Sequence, residues 1–307
     1  MGVSTLKVVM NNLNVKLNSA VYLLNPCTDG AEARKDLFAT YSRVSEIDLS
    51  GFDTSKVKDM YRMFMMCAKI TDLDLSSLHT GMVDNMAEMF RGCQSLRHVD
   101  MSNFDVCKVR DMSQMFDNCG ELVSLDLSSL NTNNLEYMHD MFHYCGSLKN
   151  LNISRLNTRK VKDMTRVFCG CGSLETLDLS SFRTNNVECM VETFADCIKL
   201  KELDLSSFST NKVVTMSYMF FRCVSLKELN LSNFVTDNAR NMEGLFSYCY
   251  GLERLDISGF NMYNVGVRKG MFKDCNKLKT VVLPADPYSR RVLINQLKED
   301  GIQCKVV

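Results

Sequence analysis

His139 and His143 stand four residues apart, and Cys169 falls 26 residues after His143. On a helix the two imidazoles would share a face, and with the cysteine one repeat later they would make a candidate zinc set of nitrogen and sulfur ligands. No fourth ligand accompanies them, so a metal- or thiol-dependent activity at His139, His143 and Cys169 competes with a simpler reading as solvated face. A second possible chemistry lies in a column of carboxylates: Asp48, Asp74, Asp100, Asp126, Asp178, Asp204 and Asp256, broken by Asn152 and Asn230. Carboxylates about 4.8 Å apart repel one another without counter-charge. Such a column either binds cations or is satisfied by serine hydroxyls and backbone donors, and its repetition argues for the second. A third lies in nine cysteines spaced 26 apart, from Cys67 to Cys275. In an apolar interior a thiol behaves as a small hydrophobe with a raised pKa, so burial is the expectation. The five other cysteines are Cys27, Cys107, Cys169, Cys189 and Cys304. Cys107 and Cys189 take positions that are polar in other repeats and are the ones expected to be exposed and oxidisable. With four histidines and no Gly-rich phosphate loop after a strand, general-base or nucleophilic catalysis has little to be built from. The chain reads as no enzyme, with no cofactor.

These columns exist because the whole chain is periodic. Phe64, Phe90, Phe116, Phe142, Phe168, Phe194, Phe220, Phe246 and Phe272 recur every 26 residues without an insertion or deletion, each with its cysteine three positions on. A register held so tightly is the mark of units stacked at fixed geometry, a solenoid. The unit from Leu200, LKELDLSSFSTNKVVTMSYMFFRC, opens with Leu203 and Leu205 alternating with Glu202 and Asp204, the period of a half-buried strand. Ser206 and Ser207 break that pattern, Phe208 plugs a corner, and Thr210 stands where its hydroxyl would cap a helix from Asn211. Val213, Met216, Met219, Phe220 and Cys223 then recur at helical spacing. A short strand and a short helix cannot bury their apolar faces alone, and stacking supplies the missing walls. The expectation is an α/β solenoid with one parallel sheet on one face and short helices on the other.

The organisation follows from the phase. Residues 1–20 lie outside it and read as an N-terminal cap over the first sheet edge. The solenoid spans 21–283, with a degenerate repeat at 21–46, where Arg34 stands in an apolar column, and nine repeats at 47–280. Residues 284–307 read as a C-terminal cap, in which Asp286 and Pro287 open a helix and IQCKVV closes as a strand.

The strings MFRGCQSLRHVDMSNFDVCKVRDM from Met89 and MFFRCVSLKELNLSNFVTDNARNM from Met219 resemble the 26-residue repeat of BspA-type leucine-rich repeat proteins, also found in mycoplasma surface lipoproteins. The resemblance covers nearly all of residues 21–283. It implies a leucine-rich-repeat horseshoe or right-handed solenoid, used on cell surfaces for adhesion and host interaction, with no catalytic residues to carry over. The chain departs from the general leucine-rich pattern by placing Phe or Leu where an asparagine ladder would hold the turn, so the serines are expected to hold it.

What differs between repeats is free to be specific. Along the ascending flank Tyr218, Phe221, Tyr248 and Tyr250 are predicted to face outward in two adjacent rungs, with Arg222 beside them. Aromatic and arginine side chains are the anchors that protein interfaces concentrate. The function expected is therefore a protein-binding or adhesion module with a protein partner, or, from the resemblance, carbohydrate or matrix adhesion. Equal numbers of acidic and basic residues, 36 of each, give no global field toward nucleic acid. No stretch is long and apolar enough for a membrane span, and a monomer or weak oligomer is expected. The opening residues show no secretion signal, and fourteen cysteines suit a reducing compartment. The chain is accordingly expected in the cytoplasm or delivered into a host cell, with the cell surface as the alternative that the resemblance offers.

Overall fold

The computed structural model describes residues 5–10, 13–18, 36–49 and 53–307. Cys27, Arg34 and most of the expected degenerate repeat lie outside the described residues. Strands β1 (Thr5–Met10) and β2 (Leu13–Asn18) pair as an antiparallel hairpin, Thr5 opposite Asn18 and Met10 opposite Leu13. The repeats wind into a parallel β-solenoid of about nine turns, one turn for each 26 residues. Phe38 joins its columns, because its ring stacks on Phe64 at 5.4 Å and its N–H donates to the Met63 carbonyl.

The strands are short, so the sheet is less continuous than the sequence suggests. Parallel neighbours β3 (Asp72–Leu73), β4 (His98–Val99), β5 (Ser124–Asp126) and β6 (Asn150–Asn152) form one four-stranded sheet. A second joins β7 (Glu228–Asn230), β8 (Arg254–Asp256), β9 (Thr280–Val282) and β10 (Lys305–Val306). Two or three residues per strand leave one or two bonds per rung, and a small loss ends the ladder. Between the sheets the Lys201 N–H still reaches the Glu175 carbonyl at 3.0 Å. Helix α1 (Pro287–Glu299) follows β9, capped by Asp286, whose carboxylate accepts from the Ser289 N–H.

Among the described residues the expected short helices on the opposite flank do not form. In their place each rung runs through consecutive β-turns: Met63 N–H donates to Met60, Met65 to Arg62 and Cys67 to Phe64, at 3.0–3.2 Å. Arg62 and Met66 take φ of 57° and 62°, the left-handed region that the third position of a type II turn demands. The alternation aims the N–H groups of Met60, Arg62, Phe64 and Met66 at the next rung, onto Asn85, Ala87, Met89 and Arg91 at 2.7–3.1 Å. A helix would satisfy those groups along its own axis and forfeit the four bonds between rungs. The turns bury Met60, Met63, Phe64 and Cys67, the same residues a helix would have buried. Three-and-four spacing is thus common to both, and the pattern alone does not separate them.

The core is a set of columns. Ten phenylalanine rings from Phe38 to Phe272 stack with centroids 5.4–6.0 Å apart and planes within 14° of parallel. The threonines expected as helix caps bind rung to rung instead. Thr184 Oγ donates to the Ser209 carbonyl and accepts the Ser209 N–H, both at 2.8 Å, and Thr54, Thr80, Thr158, Thr210 and Thr236 repeat the exchange one rung apart. Thr184 is fully buried, so Thr184→Val would strand a donor and an acceptor. A loss of about 1–2 kcal/mol in unfolding free energy is expected, less for Thr184→Ser. Denaturant titration checks this, and equal stability of the Val variant would show that these bonds contribute nothing.

Candidate functional site

The repeated polar columns turn out to be engaged in holding the coil. Each strand-end carboxylate or amide accepts the N–H of the serine two residues on, from Ser76 on Asp74 at 2.9 Å to Ser258 on Asp256 at 3.0 Å. These are Asx turns, a local alternative to strand pairing. Hydrogen bonds from those serines, backbone and hydroxyl together, hold Asp74, Asp100, Asp126, Asp178 and Asp204 below the ordinary carboxylate value. The turn that lacks an asparagine ladder is tied by the second serine: Ser77, Ser181 and Ser207 donate to the leucine or isoleucine carbonyl of the previous rung, as Asn103 and Asn233 do.

The cysteine column is buried, and each thiol donates to the phenylalanine carbonyl of the previous rung, as Cys145 does to Phe116 at 3.1 Å. Burial pushes the Cys67 and Cys249 thiols up to about 12 and raises the rest of the column well above the ordinary value. None of the thirteen described cysteines is in a disulfide. Only a thiolate alkylates readily. Native protein treated with iodoacetamide at pH 8 is therefore expected to label Cys107, which is partly exposed, before any column cysteine, with Cys145 and Cys197 reacting only in denaturant. Peptide mass spectrometry reads the order, and native labelling of Cys145 at the rate of Cys107 would contradict this burial.

His139, His143 and Cys169 are not assembled into a ligand set. Without a helix, residues four apart belong to successive turns rather than to one stacked face, and Cys169 is buried. Among the described residues no group of three or more His, Cys, Asp or Glu is placed to hold a metal. The His143 Nδ1 instead lies 2.9 Å from Asp117 and 3.8 Å from Asp140. It belongs to an ionic rail that crosses five rungs: Arg62–Glu88–Arg91–Asp117–His143–Asp140–Arg166, with contacts of 2.7–3.0 Å apart from the His143–Asp140 step. Burial pushes Glu88 up, but bonds from Arg62, Arg91 and Tyr61 outweigh it and leave the carboxyl below its ordinary value. The first half of the flank is thus internally neutralised.

Beyond the rail the surface changes character. Tyr218 meets Phe221 edge-to-face at 5.8 Å, Phe221 meets Tyr248 at 5.3 Å, and Tyr248 meets Tyr250 at 6.0 Å, an unbroken row of four rings. Edge-to-face pairs of this kind are the favoured aromatic geometry. The Lys273 ammonium sits 5.3 Å over the Tyr248 ring, and Arg222 pairs with Asp196 at 2.7 Å. Tyr218 is seated on Gly244, where a β-carbon would lie 2.2 Å from its Cε1. Tyr144 on Gly170 and Met66 on Gly92 repeat that seating in other rungs.

A family profile described as "Mycoplasma protein of unknown function, DUF285" matches the chain in three overlapping segments, residues 33–150, 120–229 and 199–283. The chain belongs to that family. Among solved structures, a leucine-rich repeat protein from Bacteroides ovatus is similar to this DUF285 member, with a TM-score of 0.51 and 16% identity over 99% of this chain and 75% of that one. At that identity the likeness speaks for the fold, and it agrees with the BspA-type repeat. No curated protein matches the chain.

The structure brings all five residues singled out on this DUF285 flank into one face and adds two more. Ile198 and Val224 stand two rungs and one rung before Tyr250 in its own column, Ile198 38% and Tyr250 44% exposed. Glycine or alanine occupies that column at positions 68, 120, 146 and 172. The change to large apolar residues is visible in the sequence only when the column is read across repeats, because no aromatic residue marks it before Tyr250.

Proposed function

We propose that this protein is a non-enzymatic interaction module that binds a protein partner through the face formed by Tyr218, Phe221, Arg222, Tyr248 and Tyr250. The observation that carries the reading is the row of four edge-to-face rings, half-buried to exposed, on a rigid flank whose repeated polar residues are otherwise engaged within the coil. Rigid aromatic anchors lose little entropy on binding and dominate interface energetics. Nothing in the face supplies a nucleophile with an adjacent base, which favours recognition over chemistry. Among the described residues no helix is long and apolar enough to cross a membrane.

Partner recovery by the wild-type chain is expected to fall at least tenfold in Tyr218→Ala/Phe221→Ala, with the melting temperature within a few degrees, since a central aromatic anchor is worth about 2 kcal/mol. Affinity capture from lysate with cross-linking measures this. A partner recovered equally by both proteins would remove the aromatic face from consideration.

A further inference from the structure

The formal neutrality of the chain conceals a polarity along it. Residues 36–150 carry ten Lys and Arg against seventeen Asp and Glu, a net charge of −7, whereas residues 151–307 carry 22 against 17, a net charge of +5. The aromatic face lies in the positive part. The columns around it make the local balance concrete. Arg222 is neutralised by Asp196, and Glu243 stands at the Tyr218 hydroxyl. Lys199 adjoins Ile198, Lys277 occupies the same column three rungs on, and Lys273 covers Tyr248. Among the described residues none of these three lysines makes a direct ion pair. On the earlier rungs the equivalent flank is a closed rail in which Arg62, Arg91 and Arg166 each meet a carboxylate. Here, then, an apolar row is bracketed by cations that make no direct ion pair, with Asp274 and Asp300 acting on Lys273, Glu175 on Lys199 and Glu253 on Lys277 only at longer range.

We propose that the segment seated on this face is acidic: a stretch of a partner protein with Asp or Glu on either side of an aromatic or aliphatic side chain, its apolar group against Phe221 and Tyr248 and its carboxylates toward Lys199, Lys273 and Lys277. This rests on the interaction reading above and specifies its partner. Complementary charge at the rim of an apolar anchor sets specificity and association rate, and the net charge of the surrounding half steers an acidic segment toward it. Aromatic edges and lysines together fit a peptide better than a bare polyanion, which would use the lysines and leave the rings idle.

The test is fluorescence anisotropy on the full chain with a labelled random copolymer of glutamate and tyrosine, beside a lysine–tyrosine copolymer and heparin. Binding of the glutamate copolymer is expected to weaken at least tenfold in Lys199→Glu/Lys273→Glu/Lys277→Glu, and again in Tyr218→Ala/Phe221→Ala. It is also expected to weaken as salt rises from about 50 to 300 mM, where screening shortens to within the width of the face. Thermal melts of each variant establish that it is folded. Equal binding of the lysine copolymer, or a triple variant that binds as wild type does, overturns the proposal. Heparin binding indifferent to Tyr218 and Phe221, in place of copolymer binding, would mark a sulfated-glycan surface and also overturn it. So would self-association of the chain abolished by the same lysine changes, which would make a second copy the occupant. If partner recovery still depends on Tyr218 and Phe221 while the triple lysine variant recovers it fully, the acidic identity falls and the interaction reading stands. Recovery indifferent to the rings removes both.

Discussion

Phe142→Ala is expected to lower the unfolding free energy by about 3–5 kcal/mol, the usual cost of deleting a fully buried aromatic ring. Phe142 lies mid-stack, with no exposed surface, between Phe116 at 6.0 Å and Phe168 at 5.8 Å. Neighbouring rungs are fixed to one another by turn and strand bonds, so they cannot close on the cavity without breaking ladders such as Phe142 N–H to the Val167 carbonyl at 3.0 Å. A solenoid is coupled only between nearest neighbours. The loss should therefore appear as a local break, with amide exchange accelerated across rungs 116–168 and the rungs near Phe246 protected as before. Guanidinium titration gives the magnitude and hydrogen exchange the location. A loss below about 1 kcal/mol would mean that the stack collapses freely and that the columns are not close-packed.

That same stack was fully legible in the sequence, because nothing but identical burial explains one phenylalanine and one cysteine at a fixed interval. The strand leucines and the buried thiols followed from the same argument, and so did the C-terminal helix from Asp286 and Pro287. The flank conformation did not. Its apolar spacing serves a helix and a run of turns alike, and what decides between them is the set of rung-to-rung bonds from Met60, Arg62, Phe64 and Met66, which no local propensity records. Sixteen of the described non-glycine residues have positive φ and pass unnoticed in a sequence, because Arg, Glu, Gln and Tyr carry no mark of the left-handed region. The threonine column has the same ambiguity: in sequence, a hydroxyl that binds the next rung looks like one that caps a helix. The candidate metal set fell with the helix that would have aligned it.

The aromatic face was legible as residues but not as a surface. That Tyr218, Phe221, Tyr248 and Tyr250 touch in succession depends on the pitch of the turns. The extension to Ile198 and Val224 needed the columns laid side by side. Charge polarity was present in the sequence and hidden by the sum, since an equal total of acids and bases says nothing of their order along a rod.

Arg166→Met is expected to cost about 2–3 kcal/mol, somewhat less than a fully buried pair because the arginine is partly exposed. Asp140 has a side chain only 4% exposed, and its nearest cation is the Arg166 Nε at 2.7 Å, a close contact off the hydrogen-bond axis, supported by the terminal nitrogen at 3.3 Å. The His143 ring at 3.8 Å is shared with Asp117, so it cannot replace the guanidinium. Removing the arginine leaves a carboxylate desolvated without a counter-charge, and that penalty, rather than the lost attraction, is the larger part of the effect. Asp140→Asn in the same chain removes the uncompensated charge and should recover most of the loss, leaving the double variant within about 1 kcal/mol of wild type. A double-mutant cycle by denaturant titration measures the coupling directly. If Arg166→Met alone stays within about 0.5 kcal/mol of wild type, the rail is a surface ornament of the flank and its carboxylates are solvated enough to stand alone. Strong coupling would instead show that the buried carboxylates of the first half of the flank depend on their own ion pairs, in contrast to the lysines around Tyr248, which make no direct ion pair.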